Sequence, residues 1–211
     1  MKKMNKTTIL TSIVCLIPII AAIFIYDKLP DTIAIHWGAD GQPNGWASKF
    51  TGAILLPGIL FFVNLFAPFI INMDPKNKNL PEKVKNLILW IIPLISLFCA
   101  TTTLAEALGK DTKVALYSPI LVGIIFIVIG NFLPKCTPSY TVGIKLPWTL
   151  NDEENWNKTH RVGGFIFVVC GALIVLGAFL PVPYVYYVVI FVVMVFAPTI
   201  YSYLLYKRSE A

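Results

Sequence analysis

The chain has 211 residues, of which 57% are hydrophobic and only 13% are charged, and its formal net charge is +6 at pH 7. Soluble domains carry about 25% charged residues, so this composition excludes an ordinary soluble protein and predicts an integral membrane protein. The four cysteines show no C-x-x-C spacing, which indicates neither a disulfide framework nor a zinc site.

Long apolar runs predict six membrane-spanning helices, because about 20 apolar residues cross the roughly 30 Å hydrocarbon core. The last run, from Val162 to Tyr206, contains no Lys, Arg, Asp or Glu and is long enough for two helices. The sequence PVPY, Pro181 to Tyr184, predicts the turn between them. We predict an all-α membrane protein with a single membrane domain, 1–211, and spans at approximately 7–26, 50–72, 86–106, 114–133, 162–181 and 184–206.

The first run follows a basic segment, MKKMNK, which is also how a signal peptide begins. Its apolar core exceeds the usual length of about 7 to 15 residues, and no A-x-A cleavage site follows it. We therefore expect an uncleaved membrane anchor.

The distribution of Lys and Arg predicts that both termini are cytoplasmic. Of the 17 basic residues, only Lys28, Lys49, Lys110 and Lys113 would lie on the opposite side, and the positive-inside rule assigns the richer side to the cytoplasm. The positive charge then reflects topology and attraction to anionic lipid, so nucleic-acid binding is not needed to explain it. Two long connections remain, an outer loop, 27–49, and an inner loop, 134–161.

The outer loop is predicted to form a small β-hairpin. Thr32 to Trp37 alternates in character and is rich in β-forming residues, while Asp40-Gly41 and Asn44-Gly45 are turn dipeptides. Two interpretations of its aromatic residues remain open. They could form a receptor surface, or Trp37 and Trp46 could seat the loop in the aromatic belt at the membrane interface.

The inner loop is unusually polar for this chain. Its 140–146 segment has a strand-like composition, and Asn151 followed by Glu154 matches a helix N-cap with an acidic third residue. The predicted helix runs on into the fifth span. There, Gly163 and Gly164 would let a neighbouring helix approach closely.

The helical spacing of the inner loop predicts which of its side chains are neighbours. Asp152, Trp156 and His160 are spaced by four and would share one face, while Glu154 and Lys158 form a favourably ordered i, i+4 pair. Three interpretations follow. The segment could be an interfacial capping helix, an interaction surface or an active site.

Catalysis is the least supported of these interpretations. An enzyme would use Asp152, His160 and Arg161 together, and it requires that they converge in a cytoplasmic pocket. The only two histidines, His36 and His160, fall on opposite sides of the predicted membrane, and no Ser or Cys nucleophile motif accompanies them. We predict no enzyme activity, no cofactor and no metal site, with His36 as a hydrogen-bonding loop residue.

A small inverted-repeat transporter or exporter is the main alternative. Spans one to three and four to six each comprise a helix, a long loop and two helices, and an odd number of spans per unit would invert the second copy. The residue match between the halves is weak, and ionisable groups are nearly absent from the spans. Both observations count against transport.

Two motifs resemble the SdpI family of bacterial membrane immunity proteins. LPDTIAIHWGADGQPNGW looks like the family's N-terminal domain of unknown function, and GIKLPWTLNDEENWNKTHR looks like its C-terminal SdpI/YfhL signature. The motifs occur in the family's order, and the resemblance covers nearly the whole chain. It implies a toxin-facing outer loop, in which the family motif matches His36, Gly41 and Gly45, and to which we assign in addition Trp37, Asp40, Asn44 and Trp46. It also implies a cytoplasmic partner or signalling surface with Gly143, Pro147, Trp148, Thr149, Trp156, His160 and Arg161, to which we add Asp152.

The resemblance also implies a function. Such proteins are non-enzymatic, lie in the bacterial cytoplasmic membrane and protect the cell from a secreted antimicrobial peptide toxin. In the best-known member, toxin engagement also lets the protein hold a cytoplasmic repressor, of the ArsR-like type, at the membrane. We therefore expect a peptide partner outside, a repressor inside and no direct contact with nucleic acid, and His160→Ala or Trp156→Ala should damage signalling more than immunity.

Overall fold

The computed structural model describes residues 5–76 and 80–209, and within these ranges six helices are long and apolar enough to cross a membrane. The prediction of an all-α multi-pass membrane protein is confirmed. The six helices are α1 (Lys6–Ile25), α2 (Leu56–Met73), α3 (Glu82–Ala107), α4 (Val114–Phe132), α6 (Glu153–Gly177) and α7 (Tyr184–Ser209), and a short helix, α5 (Pro147–Asn151), lies in the inner loop.

The outer loop contains the predicted hairpin. Strand β1 (Thr32–Trp37) pairs antiparallel with β2 (Pro43–Ser48), and two register irregularities fall around His36. A π-helical segment, Thr51–Leu55, joins the hairpin to α2. Because Ile33 is 1% exposed and lies against Gly52 of that segment, the base of the hairpin is fixed to the helix that follows it.

Contacts divide the chain into two compact units, one within Met1–Phe69 and Lys85–Ala115 and the other within Ile70–Val84 and Leu116–Ala211. A hydrophobic cluster lies at the hairpin end of the first unit and includes Ala22, Leu29, Ile33, Ala53 and Leu104. It draws on α1, the hairpin, the π-helical segment and α3.

A polar clamp joins three helices inside the first unit. Pro93 lacks a backbone N–H, so the carbonyl of Leu89 one turn earlier has no donor within α3. The fully buried Asn64 supplies one. In the amide orientation that satisfies every partner, its nitrogen donates to Leu89 O at 3.0 Å and its oxygen accepts from the hydroxyls of Thr11 and Ser12. The clamp therefore satisfies the proline break and ties α1, α2 and α3 together.

The second unit is built on a glycine seam between α4 and α6. A β-carbon on Gly130 would lie 2.6 Å from the carbonyl oxygen of Gly164, and one on Gly171 would lie 2.6 Å from that of Gly123. Each helix repeats its glycine after two turns, so both pairs fall on the facing sides of the two helices. The close approach predicted for Gly164 is confirmed, and the two backbones touch.

We expect Gly164→Ala to destabilise the protein by about 1–3 kcal/mol, because the added methyl group must displace the carbonyl of Gly130. The matched control is Gly58→Ala in α2, where an added β-carbon meets nothing within 4 Å and alanine favours the helix by about 1 kcal/mol. Thermal unfolding of both purified variants in one detergent measures the difference. Equal melting temperatures would show that the seam does not hold α4 against α6.

Candidate functional site

The inner loop is folded around a buried tryptophan–histidine stack. Trp156 is fully buried and His160 is 1% exposed, and their ring centroids lie 3.9 Å apart. The pair shares one face of α6, as its spacing predicts. The indole N–H of Trp156 donates to the carbonyl of Cys136 at 2.8 Å, so the stack also anchors the beginning of the inner loop.

Hydrogen bonds assign the protonation state of His160. The backbone N–H of Ile144 donates to Nε2 at 2.9 Å. Because a backbone N–H can only donate, Nε2 carries no proton. Nδ1 lies 2.8 Å from the carbonyl oxygen of Trp156 and therefore carries one. The imidazole is neutral with both nitrogens occupied, which makes it a structural joint between α6 and the inner loop.

Gly143 lets the chain pass over this stack. Its φ is +113°, in the region that favours glycine. A β-carbon there would lie 2.5 Å from Nε2 of His160 and 2.9 Å from the ring of Trp156. Both the backbone conformation and the space therefore require glycine at this position.

Thr149 turns the chain into α5. It is fully buried, its hydroxyl accepts from the N–H of Leu146 at 2.9 Å, and the carbonyls of Ile144 and Leu146 each lie 3.0 Å from it. Pro147 follows as the first residue of the helix, where a missing N–H is tolerated.

The strand-like composition of 140–146 does not produce a strand. The segment's backbone N–H groups donate to side chains instead, Thr141 to Asp74, Ile144 to His160 and Leu146 to Thr149. Because these N–H groups are already paired with side chains, they cannot form the regular hydrogen bonds of a β-sheet with a neighbouring strand.

The helix cap lies one residue later than the sequence suggested. Asp152, rather than Asn151, is the N-cap of α6, and its carboxylate accepts from the N–H groups of Glu154 at 2.9 Å and Asn155 at 3.0 Å. Asn151 is the last residue of α5 and donates to the carbonyl of Pro147. Because Asn151 belongs to the short helix α5, α6 begins only at Glu153.

Sequence reasoning missed a polar network that joins α5, α6 and α7. Asn155 is 2% exposed. Its amide donates to the carbonyl of Ser202 at 3.0 Å and accepts from the hydroxyls of Thr159 at 2.9 Å and Ser202 at 2.7 Å. The indole of Trp148 donates to Ser202 Oγ at 2.9 Å and stacks on Tyr206.

Asp74, directly after α2, is a second missed residue. Its carboxylate is 7% exposed and accepts from Ser139 Oγ at 2.7 Å, from the N–H of Tyr140 at 2.8 Å, and from the N–H and hydroxyl of Thr141 at 3.0 Å. Its other oxygen accepts from the N–H of Lys76 at 2.9 Å. The apolar run that ends at Met73 is the only local signal, and it does not identify partners so far along the chain.

Asp74 is ionised at neutral pH. Burial alone would raise the pKa of this carboxyl group, but the hydrogen bonds from Ser139, Thr141 and Lys76 outweigh it and hold the pKa below its ordinary value. A carboxylate with a lowered pKa stabilises the fold above its unfolded value of about 3.9, and this contribution is lost as the pH falls through the folded value. The contact is therefore complete across the physiological range.

The residues predicted for the inner site divide into a buried set and a more accessible set. Thr149, Trp156 and His160 are buried, Pro147 and Arg161 are exposed, and Gly143, Trp148 and Asp152 are half-buried. The acid–base group suggested by Asp152, His160 and Arg161 is not assembled, because Asp152 caps a helix and His160 has no free nitrogen. In the described parts of the chain, no group of three or more His, Cys, Asp or Glu side chains could hold a metal ion.

The outer site is a more open surface. Nδ1 of His36 lies 2.5 Å from Oδ1 of Asn44, as expected for a hydrogen-bonding loop residue. Asp40 accepts from the N–H of Gln42 at 3.0 Å and so closes the turn. Of the predicted outer residues, His36, Asp40, Asn44 and Trp46 are exposed, whereas Trp37, Gly41 and Gly45 are half-buried.

Comparison with known proteins agrees with these two loops. The SdpI/YfhL protein family matches residues 135–202, and a domain of unknown function, DUF1648, matches residues 13–61. The chain is 30% identical over 208 residues to the Immunity protein SdpI of Bacillus subtilis (strain 168), across 97% of this chain and 98% of that protein. No solved structure matches.

The fold and the two folded loops define a multi-pass membrane protein with a hairpin in one connection and a stacked Trp–His joint in another. The chain belongs to the SdpI/YfhL protein family. The resemblance seen in the two sequence motifs is confirmed.

We expect Gly143→Ala to open the inner loop, because the new methyl group overlaps His160 and the backbone cannot relax to a negative φ without moving Ile144. Trypsin should then cleave after the exposed Lys145 at least about tenfold faster in the purified variant, since cleavage follows local opening. Gly109→Ala is the matched control, with a φ of +75° but nothing within 4 Å of an added β-carbon. If both variants are cleaved after Lys145 at the wild-type rate, Gly143 is not required for the stack.

Proposed function

We propose that this protein is an immunity protein that protects a bacterium from a secreted antimicrobial peptide toxin. The carrying observation is the match to an immunity protein over nearly the full length of both chains. Protection requires only that the protein bind the toxin, or occupy the toxin's target, more favourably than the lethal complex forms.

The proposed location is the bacterial cytoplasmic membrane, with the hairpin outside and both termini inside. The excess of Lys and Arg in the inner loop and the termini supports this orientation. A secreted peptide would then approach from the side of the membrane on which the hairpin lies.

The hairpin has the properties of a peptide-binding surface. Trp46 is 60% exposed, and rigid aromatic side chains are frequent binding hot spots. Around it, His36, Asp40 and Asn44 offer exposed polar groups. Because the buried Ile33 fixes the base of the hairpin, these groups are presented without a large loss of loop entropy.

Immunity of this kind requires binding and no catalysed reaction, and we propose that the protein is not an enzyme. Both nitrogens of His160 are committed to backbone groups, which supports a structural role for the inner loop's histidine. The buried polar side chains Asn64, Thr11 and Ser12 are likewise committed to one another, which supports a role in helix packing rather than in a transport path.

A receptor role is the second part of the proposal. Toxin binding outside would favour one of two conformations, and the inner loop would hold an ArsR-like repressor at the membrane in only one of them. Such coupling typically amounts to about 1–3 kcal/mol. The support is that the inner loop is a folded structure joined to α6 and α7 by the Trp156–His160 stack and the Asn155 network.

Immunity can be measured as survival of a sensitive bacterium that expresses the chain and is challenged with an SDP-type killing peptide. We expect protection by the wild type, its loss when 32–46 is scrambled, and a reduction of about tenfold or more in the tolerated peptide concentration for Trp46→Ala. Tyr184→Ala is the matched control, because Tyr184 is a 67% exposed aromatic residue outside the hairpin. Absence of protection by the wild type at good expression would reject the proposal.

The receptor role predicts a division between the two faces. Trp156→Ala and His160→Ala should release the repressor from the membrane fraction while leaving survival near the wild-type level, because both side chains hold the inner loop of the second unit and the hairpin belongs to the first unit. Membrane fractionation of a tagged repressor, with and without the peptide, measures retention. Equal loss of retention and survival at unchanged abundance would contradict this division.

A further inference from the structure

Asp74 is a buried negative charge held by neutral donors. Its carboxylate is 7% exposed, and within the described parts of the chain no Lys or Arg side chain forms an ion pair with it. Burying a charge without a counter-ion is costly unless hydrogen bonds replace the lost water. Here two hydroxyls and three backbone N–H groups replace it.

The five donors around Asp74 require a carboxylate as their acceptor. All five groups donate, and an ionised carboxylate accepts at both oxygens, whereas an amide would turn an NH₂ group toward one of the donors. Four of the five donors come from Ser139, Tyr140 and Thr141 and meet on Oδ2. A single oxygen atom therefore organises this turn of the inner loop.

Hydrogen bonds within the turn itself hold the donors of residues 139–141 in position for Oδ2 of Asp74. Ser139 is fully buried, and its hydroxyl oxygen also accepts from the N–H groups of Thr141 and Val142, each at 3.1 Å. The hydroxyl hydrogen of Ser139 is thus left to point at Asp74. Three consecutive residues turn their donors to the same side of the chain because of this arrangement.

Lys76 contacts the inner loop at a second place. Its ammonium group donates to the carbonyl of Leu150 in α5 and lies 5.0 Å from the centre of the Tyr140 ring. The connection after α2 therefore contacts both the 139–141 turn and the short helix α5.

We infer that Asp74 is the positioning residue of the inner loop, and that the connection between α2 and α3 belongs to the inner site. Asp74 fixes the 139–141 turn, and through it the path from Cys136 to Gly143 that crosses the Trp156–His160 stack. Both family matches, 13–61 and 135–202, leave Asp74 out. Only the consequence for repressor binding rests on the proposed function.

The chain contains a reporter for this inference. Cys136 begins the loop, is 5% exposed, and has a thiol whose pKa burial raises to about 11. It should therefore react slowly with a polar maleimide while the loop is closed. Cys15, fully buried in the first unit, reports unfolding elsewhere.

The experiment compares the purified full chain with Asp74→Ala in one detergent, with labelling of each cysteine read by mass spectrometry. We expect Cys136 in the variant to react at least about tenfold faster, with Cys15 unchanged, because the 139–141 turn has lost its acceptor. Glu153→Gln is the matched control, since it removes an exposed negative charge from the same loop. Added formate should slow Cys136 labelling in Asp74→Ala, because it can occupy the vacant acceptor position, whereas chloride at equal ionic strength should not.

An unchanged Cys136 rate in Asp74→Ala would overturn the inference. So would a faster rate that saturating formate does not reduce, because the carboxylate would then not be the feature that matters. If Cys15 also becomes reactive, Ser139→Ala with Thr141→Val replaces the first variant. It removes two hydroxyl donors and leaves Asp74 in place, and we expect a smaller acceleration at Cys136. An unchanged rate there would equally overturn the inference.

Repressor retention separates this inference from the proposed function. Asp74→Ala should lose retention and keep survival against the killing peptide. Faster Cys136 labelling with full retention would uphold Asp74 as the positioning residue and reject the folded inner loop as the surface that holds the repressor, whereas no retention by the wild type would reject the receptor role itself.

Discussion

Lipid supplies no hydrogen-bond partners, so each polar group buried within a membrane protein needs a partner from the protein itself. Pro93 shows how this chain meets that constraint, because the carbonyl it leaves open on Leu89 is taken up by Asn64 from another helix. The requirement also decides where helices touch, since a side chain amide can serve a broken turn only at close range. In the first unit, the hydrogen bonds that satisfy the proline break in α3 therefore also hold the helices in contact.

Between Cys136 and Leu146, where the inner loop has neither helix nor strand, backbone N–H groups also find their partners within the protein. The loop's backbone N–H groups are taken by single side-chain acceptors, namely Asp74, His160 and Thr149. Each acceptor is itself buried, and removal of one would take away the side-chain acceptor of a partly buried N–H group, that of Tyr140 for Asp74, Ile144 for His160 or Leu146 for Thr149, at a cost of up to about 1–3 kcal/mol. This part of the loop is consequently specified by side-chain identity at a few positions, which explains how the 136–146 segment holds one conformation without helix or strand.

Local patterns in the sequence were enough to predict the six helices, the hairpin in the outer loop and the shared face of Trp156 and His160. Each depends on apolar length or on spacing along one element. The same patterns failed for the 140–146 segment, because strand-like composition says nothing about which side chains will compete for its N–H groups. Asp74 was missed for a related reason. Its partners lie 65 to 67 positions further along the chain, and no periodicity links them.

The burial of residues in the inner motif limits which of them a partner can contact. Thr149, Trp156 and His160 lie at or below 1% exposure, so a cytoplasmic partner cannot touch them in this conformation. On the proposed function, contact falls to exposed neighbours that the motif does not emphasise, such as Lys145 and Glu153. The buried residues then determine the shape of the surface, while the exposed charges determine which partner it accepts, because charge complementarity acts mainly on specificity. Proteins that share this buried frame can therefore differ in the partners they hold.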